Sequence, residues 1–253
     1  MSEHRVAISA HRGGAEDAPL ASWEGYLSSI ETAAEYVELD IRRTADDVLV
    51  AHHDPHLTAV RGRPLLSRLT YSQLCELAGY QVPQVPELLA LISGHAQGHL
   101  DLKEIGYERR VLDLAHDLLG AGNFLVSTLE EESVRAVKQF APDVPVALSL
   151  GRDLSYTPLL RRSRVRFNEL LPMRRVRRCG ADWMSMHYLL ARAGVLRMCA
   201  REGLPAIVWT VNHGPRIDRY LTDPRVAMLV TDRPKYAAAR RTALANGHRP
   251  VPE

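Results

Sequence analysis

Tyr36-Val37-Glu38-Leu39-Asp40-Ile41 is the stretch whose reading decides the fold. It is a β-type run in which acidic and apolar residues alternate. Successive side chains of a strand point to opposite faces, so Glu38 and Asp40 share one face while Leu39 packs the other way. Comparable runs recur at 6–9, 99–103, 124–127, 146–150, 182–185, 207–211 and 228–230. Between them lie stretches with helical periodicity at 21–35, 85–93, 107–120, 129–140 and 189–202. Strands alternating with helices imply a parallel sheet, and eight such units close into a (β/α)8 TIM barrel. A doubly wound open sheet is the competing architecture.

The length of 253 residues suits one barrel of this kind. Residues 1–242 read as a single α/β barrel with a short insertion after the second strand, about 44–84, and 243–253 as a flexible tail. A net charge of +2 is too small to argue for nucleic acid or a membrane surface as partner. The N-terminus lacks the apolar segment of a secretion signal, and no run approaches the roughly 18 apolar residues of a membrane span. Cys75, Cys179 and Cys199 are odd in number and widely spaced. They fit reduced core thiols of a cytoplasmic protein better than a disulfide framework or a zinc site. Arg174, Arg175, Arg177 and Arg178 read as a solvated helix face, with an anionic surface as the alternative. No feature of the chain indicates its oligomeric state.

Two carboxylates on the inward face of a barrel strand are costly unless something neutralises them. A divalent cation does so, and hard oxygen ligands suit Mg²⁺ or Ca²⁺. The alternative for Asp40 is a pair with Arg42 or Arg43 on a polar rim. Asp101-Leu102-Lys103 repeats the pattern at another strand end and adds a third carboxylate and a cation. His11-Arg12-Gly13-Gly14 directly follows the first strand, where barrel active sites form. Its arginine can grip a phosphate oxygen, and its glycines let backbone approach a ligand. His52-His53-Asp54 ends the apolar run of the insertion, and one of its two imidazoles can face the site. Imidazoles on opposite sides of a phosphodiester can act as general base and general acid. Trp209 near the end of the seventh strand offers an aromatic wall at the same rim. His56, His95, His99, His116, His187 and His213 have no comparable setting and read as ordinary histidines.

Taken in order, these elements resemble the glycerophosphodiester phosphodiesterase family. Its H-R-G is similar to His11-Arg12-Gly13, its E-x-D to Glu38 and Asp40 continued by Thr44 and Asp46, and its H-D to His53-Asp54. The spacings, 27 residues from His11 to Glu38 and 15 from Glu38 to His53, are family-like. Its E-x-K is similar to Asp101-Leu102-Lys103, and its closing motifs to Trp209-Thr210-Val211-Asn212 and Thr231-Asp232-Arg233-Pro234. The resemblance implies a metal-dependent TIM barrel that hydrolyses glycerophosphodiesters to glycerol 3-phosphate and an alcohol. It implies one Mg²⁺ or Ca²⁺ on Glu38, Asp40 and Asp101, with His11 and His53, not His52, as the acid/base pair. Arg12 and Lys103 would contact phosphate, and Trp209 the glycerol side of a small-molecule diester.

Two departures stand out. The family's P-E-N-T stretch is replaced by Pro19-Leu20-Ala21-Ser22, so its Glu and Asn are absent, with Glu16 and Asp17 nearby as replacements. Asp101 is one methylene shorter than the usual Glu. Both leave room for a lysophospholipase D-type or specialised metabolite diester as substrate, or for a non-catalytic phosphometabolite-binding barrel.

Overall fold

Nine strands form one sheet among the described residues: β1 (Ala7–Ala10), β2 (Tyr36–Arg43), β3 (Leu49–Ala51), β4 (Gln97–Leu102), β5 (Phe124–Thr128), β6 (Val146–Leu150), β7 (Trp183–His187), β8 (Ala206–Trp209) and β9 (Met228–Thr231). They are seen in a computed structural model that describes residues 5–58, 60–151 and 172–248. All except β3 run parallel, and β1 pairs with both β2 and β9, so the sheet closes on itself. This is the eight-stranded TIM barrel expected from the sequence, and its closure excludes the doubly wound alternative.

Strand alternation sorts the side chains into two cores. Val37, Leu39 and Ile41 of β2, with Leu100 and Leu102 of β4, point outward and are buried against the helices. Helix Val85–Ile92 meets them with Val85, Leu88, Leu89 and Ile92, and helix Glu108–Leu119 with Val111, Leu112, Ala115 and Leu119. That spacing is one helical face. Each aliphatic side chain so buried contributes about 1.5–3 kcal/mol. The opposite parity fills the barrel. Tyr36, Leu125, Ala147, Ile207 and Met228 belong to a separate apolar cluster toward the N-terminal ends of their strands. Nearer the C-terminal ends the interior turns polar, with Ser9, Glu38, His99, Ser127, Ser149 and Ser185 all buried.

The insertion carries its own small core of Val50, Leu57, Leu66, Leu74 and Val82. β3 pairs antiparallel with β2, and helix Tyr71–Ala78 starts on a Thr70–Gln73 capping box and stops at Gly79, φ 78°. Two predicted helices are shorter than their periodicity suggests. The 21–35 stretch is helical over Trp23–Ser29, capped by Ser22, whose Oγ accepts from the Gly25 N–H at 3.0 Å. The 189–202 stretch is broken by a π-helical segment, Ala191–Val195, around Gly194 at φ 112°. Helix Leu196–Arg201 follows. The last helix, Pro234–Ala245, runs into the segment expected as a tail, of which residues 249–253 lie outside the described region. Arg175 and Arg178 are engaged by Glu131, and Arg177 by Glu202. Among the described residues no helix is long and apolar enough to cross a membrane.

Candidate active site

Parallel pairing of β2 with β4 sets Asp40 opposite Asp101 and Glu38 opposite His99. Register and parity together bring one oxygen each of Glu38, Asp40 and Asp101 within 4.8 Å of one another. Lys103, just beyond β4, reaches Asp40 Oδ1 at 2.7 Å and also pairs with Asp101. Arg12 Nε lies 2.6 Å from Asp40 Oδ2, and the Arg12 backbone N–H donates to Glu38 Oε2 at 2.9 Å. Arg12 adopts left-handed backbone, φ 49°, ψ 39°, which turns both groups onto the carboxylates. Gly13 follows at φ 83°, where a Cβ would stand 2.7 Å from Gly25 C and Tyr26 N. Only glycine allows helix Trp23–Ser29 to pack so close beneath this loop.

The electrostatics of the cluster follow from burial. Burial, then Asp40, pushes the Glu38 carboxyl well above its ordinary pKa. Burial also opposes ionisation of Asp40, but Lys103 and Arg12 outweigh it and hold that carboxyl well below the usual range. Lys103 shows the converse: burial disfavours its charge, yet Asp101 and Asp40 raise its pKa. Three carboxyl groups face two cations, and the raised Glu38 pKa marks a buried hard oxygen donor whose charge lacks a further cation to balance it. Tyr26 is fully buried beside them, its hydroxyl without a hydrogen-bond partner among the described residues, and burial, Glu38 and Asp40 raise its pKa. This donor set fits a divalent cation of the Mg²⁺ or Ca²⁺ type. The rim-pair alternative for Asp40 fails, because Arg42 pairs with Glu104 at 2.9 Å and Arg43 with Asp47.

His11 Nδ1 lies 2.5 Å from Asp232 Oδ1, at the seam where β1 meets β9. Asn212 clamps that carboxylate, its Nδ2 donating to Asp232 Oδ2 at 2.5 Å while its Oδ1 accepts the Asp232 N–H at 2.9 Å. His53 repeats the arrangement, with Nδ1 2.8 Å from Asp54 Oδ1. In each dyad the carboxylate takes Nδ1, so Nε2 is the nitrogen able to meet a substrate. Burial lowers the pKa of His53, which also feels Asp40, Lys103 and Arg12 and so faces the cluster. His52 instead places Nδ1 2.8 Å from the Asp54 carbonyl oxygen. Arg42 Nε donates to the His53 carbonyl at 2.9 Å and anchors this loop to β2. Trp209 closes the opposite side, its ring edge-on to His187 with centroids 5.4 Å apart and backed by Gly151.

Glu16 and Asp17 do not take the place of the missing Glu and Asn. Glu16 accepts the N–H groups of Lys235 and Tyr236 at 2.7 and 3.1 Å, and Asp17 pairs with Lys235 at 2.6 Å. They tie the first loop to the last helix. His99, read as ordinary from the sequence, is buried in the barrel directly beneath the carboxylates, and burial lowers its pKa to about 4. The signal for it was there: His99 has the strand parity of Asp101 and Lys103. Asp232 and Asn212 lie in the two closing motifs, 231–234 and 209–212, but nothing local marks them as partners of His11.

Acid cluster, flanking cations and two histidine–carboxylate dyads at the C-terminal mouth of a barrel define a phosphoric diester hydrolase. The chain belongs to the glycerophosphoryl diester phosphodiesterase family, whose model matches residues 11–236. A glycerophosphodiester phosphodiesterase of Bacillus subtilis is 24% identical over 174 residues, 57% of this chain and 59% of that protein. The crystal structure of a glycerophosphodiester phosphodiesterase from Parabacteroides distasonis is similar with a TM-score of 0.75 at 20% identity, covering 96% of this chain and 100% of that one. A phosphodiesterase of Oleispira antarctica, solved with the product sn-glycerol-3-phosphate, is similar with a TM-score of 0.70 at 16% identity, covering 93% and 96%.

Proposed function

We propose that this chain is a metal-dependent glycerophosphodiesterase that hydrolyses a small glycerophosphodiester to glycerol 3-phosphate and an alcohol. The observation that carries this reading is the convergence of Glu38, Asp40 and Asp101 with Arg12 and Lys103, flanked by the His11–Asp232 and His53–Asp54 dyads. The product bound by the Oleispira antarctica relative supports the substrate class.

In this mechanism Glu38, Asp40 and Asp101 would hold one divalent cation, Mg²⁺ or Ca²⁺, and when bound it would supply Lewis-acid chemistry at the site. Arg12 and Lys103 bind the non-bridging phosphate oxygens and balance the charge that grows on them. His53 is the base. Its lowered pKa keeps the ring neutral near pH 7, with Asp54 holding the proton on Nδ1 and Nε2 free to deprotonate the nucleophile. That nucleophile is water, or the substrate's own glycerol hydroxyl followed by water. His11 is the acid: Asp232 holds its Nδ1 and orients Nε2, from which a proton passes to the departing alkoxide as the P–O bond breaks. Trp209 lines the glycerol side. The same reading takes residues 1–242 as one catalytic unit working in the cytoplasm, in keeping with the free thiols Cys75, Cys179 and Cys199.

The test is a panel of glycerophosphodiesters and lysophospholipids assayed with Mg²⁺, Ca²⁺ and Mn²⁺, with products identified by mass. Release of glycerol 3-phosphate from glycerophosphocholine is expected. No product from any diester with any of the three ions would overturn the proposal.

A further inference from the structure

Beneath the carboxylate cluster a line of hydrogen bonds runs through the barrel interior and ends on Asp101. Ser9 Oγ lies 3.1 Å from His99 Nδ1, His99 Nε2 lies 3.0 Å from Ser127 Oγ, and Ser127 Oγ donates to Asp101 Oδ1 at 2.7 Å. The other Asp101 oxygen, Oδ2, takes Lys103. Ser9, His99 and Ser127 are all buried and come from three strands, β1, β4 and β5.

Proton counting leaves one arrangement for a neutral ring. A carboxylate accepts only, so the single Ser127 hydroxyl hydrogen goes to Asp101. The Ser127 oxygen must then accept from His99, which places the ring proton on Nε2. His99 Nδ1 carries a lone pair and accepts from the Ser9 hydroxyl. Every donor in the line points toward Asp101, so each bond polarises the next. The carboxylate at its end is fixed from both sides, by Ser127 on Oδ1 and Lys103 on Oδ2. Asp101 turns about two side-chain bonds, Cα–Cβ and Cβ–Cγ, and with its short arm a rotation about either would carry an oxygen away from Glu38 and Asp40; the two partners oppose that rotation.

We propose that His99, Ser127 and Ser9 are positioning residues that hold the Asp101 carboxylate in the orientation from which it ligates the divalent cation. This rests on the metal reading of the site given above. Partners that orient a ligand are typically worth 10- to 100-fold in metal affinity.

Mn²⁺ binding to the full chain, followed by electron paramagnetic resonance of the free ion, reads affinity without reference to turnover. The wild type is expected to bind one Mn²⁺, and Glu38→Gln to lose it. Ser127→Ala and His99→Leu are expected to weaken Mn²⁺ by about 10- to 100-fold. His99→Gln, which keeps an N–H for Ser127, is expected to stay within about 3-fold of wild type. Circular dichroism melting checks that each variant is folded, and Ser127→Ala carries the test where His99→Leu does not fold. If the wild type binds no Mn²⁺, or Glu38→Gln binds it unchanged, the metal reading falls and this inference with it. If the wild type binds while Ser127→Ala matches it, or if His99→Gln loses as much as His99→Leu, the positioning role alone is overturned.

Discussion

His11 and Asp232, 221 positions apart, meet with Nδ1 2.5 Å from Oδ1 where the last barrel strand closes on the first. The bond joins the proposed acid to barrel closure, since the group that orients the histidine arrives only when β9 pairs with β1. Asp232→Asn keeps the shape but replaces the carboxylate that accepts from His11 Nδ1 with a neutral amide. It should lower kcat on glycerophosphocholine by on the order of 10- to 10²-fold with little change in KM. Steady-state kinetics decide this, and an unchanged kcat would remove His11–Asp232 from the mechanism.

The two histidines should separate by leaving group. A p-nitrophenolate departs without a proton, whereas choline alkoxide needs one. His11→Ala should therefore lose on the order of 10² to 10⁴ in kcat on glycerophosphocholine but much less on bis(p-nitrophenyl) phosphate. His53→Ala should lose comparably on both. Equal losses for His11→Ala on the two substrates would sink the acid assignment.

Burial of His53 also sets the sign of the pH dependence. Its folded pKa lies below the ordinary imidazole value of about 6.5, so the ring stays neutral to lower pH than a free histidine. Activity should hold down to pH ~6.5 and fall only below it, as His53 takes up a proton. An acid limb of kcat/KM centred above that pH would contradict the base assignment.

Ion removal should act on stability as well as rate. EDTA should abolish turnover, and Mg²⁺ or Ca²⁺ should restore it. An ion at about 100 times its Kd stabilises the native state by about 2.7 kcal/mol, which raises Tm by roughly 5–10 °C. Glu38→Gln should abolish that shift. Scanning calorimetry of the chelated and ion-loaded protein measures it, and an equal shift in Glu38→Gln would locate the ion elsewhere.

The first loop gives two opposed stability predictions. Ala21 sits at φ 58°, strained for alanine and tolerated by asparagine. Ala21→Asn should stabilise by about 1 kcal/mol, or roughly 2–4 °C in Tm, without altering kcat. Gly13→Ala forces a Cβ to within 2.7 Å of the Gly25 and Tyr26 backbone and should destabilise by about 2 kcal/mol or more. Thermal melts of the two variants test the loop geometry, and shifts of the same sign would refute it.

Local pattern reached the architecture because burial imposes a period on the chain. Alternation within residues 36–41 and the recurrence of such runs implied a parallel sheet of eight units and brought Glu38 and Asp40 to one face, while the pairing of β1 with β9 decided for a barrel over an open sheet. The same pattern overstated helix length at 21–35, because periodicity continues through the turn after Ser29, where the Ser29 and Thr32 hydroxyls bond to backbone carbonyls instead. It missed the break at Gly194, whose positive φ leaves no mark on hydrophobic spacing.

By itself the sequence determined which side chains gather at the strand ends: His11, Glu38, Asp40, His53, Asp101 and Lys103 are each legible from parity, position and motif. Only the tertiary structure decided what those groups touch. Arg12 answers Asp40 rather than a neighbour in sequence, Arg42 turns aside to Glu104 and the His53 carbonyl, and Asp232 reaches back to His11. His99 becomes part of the site through Ser9 and Ser127, which lie on other strands. The physical reason is that parity is a property of one strand, read locally, whereas a hydrogen-bond partner depends on the register between strands. That register is set once the barrel closes.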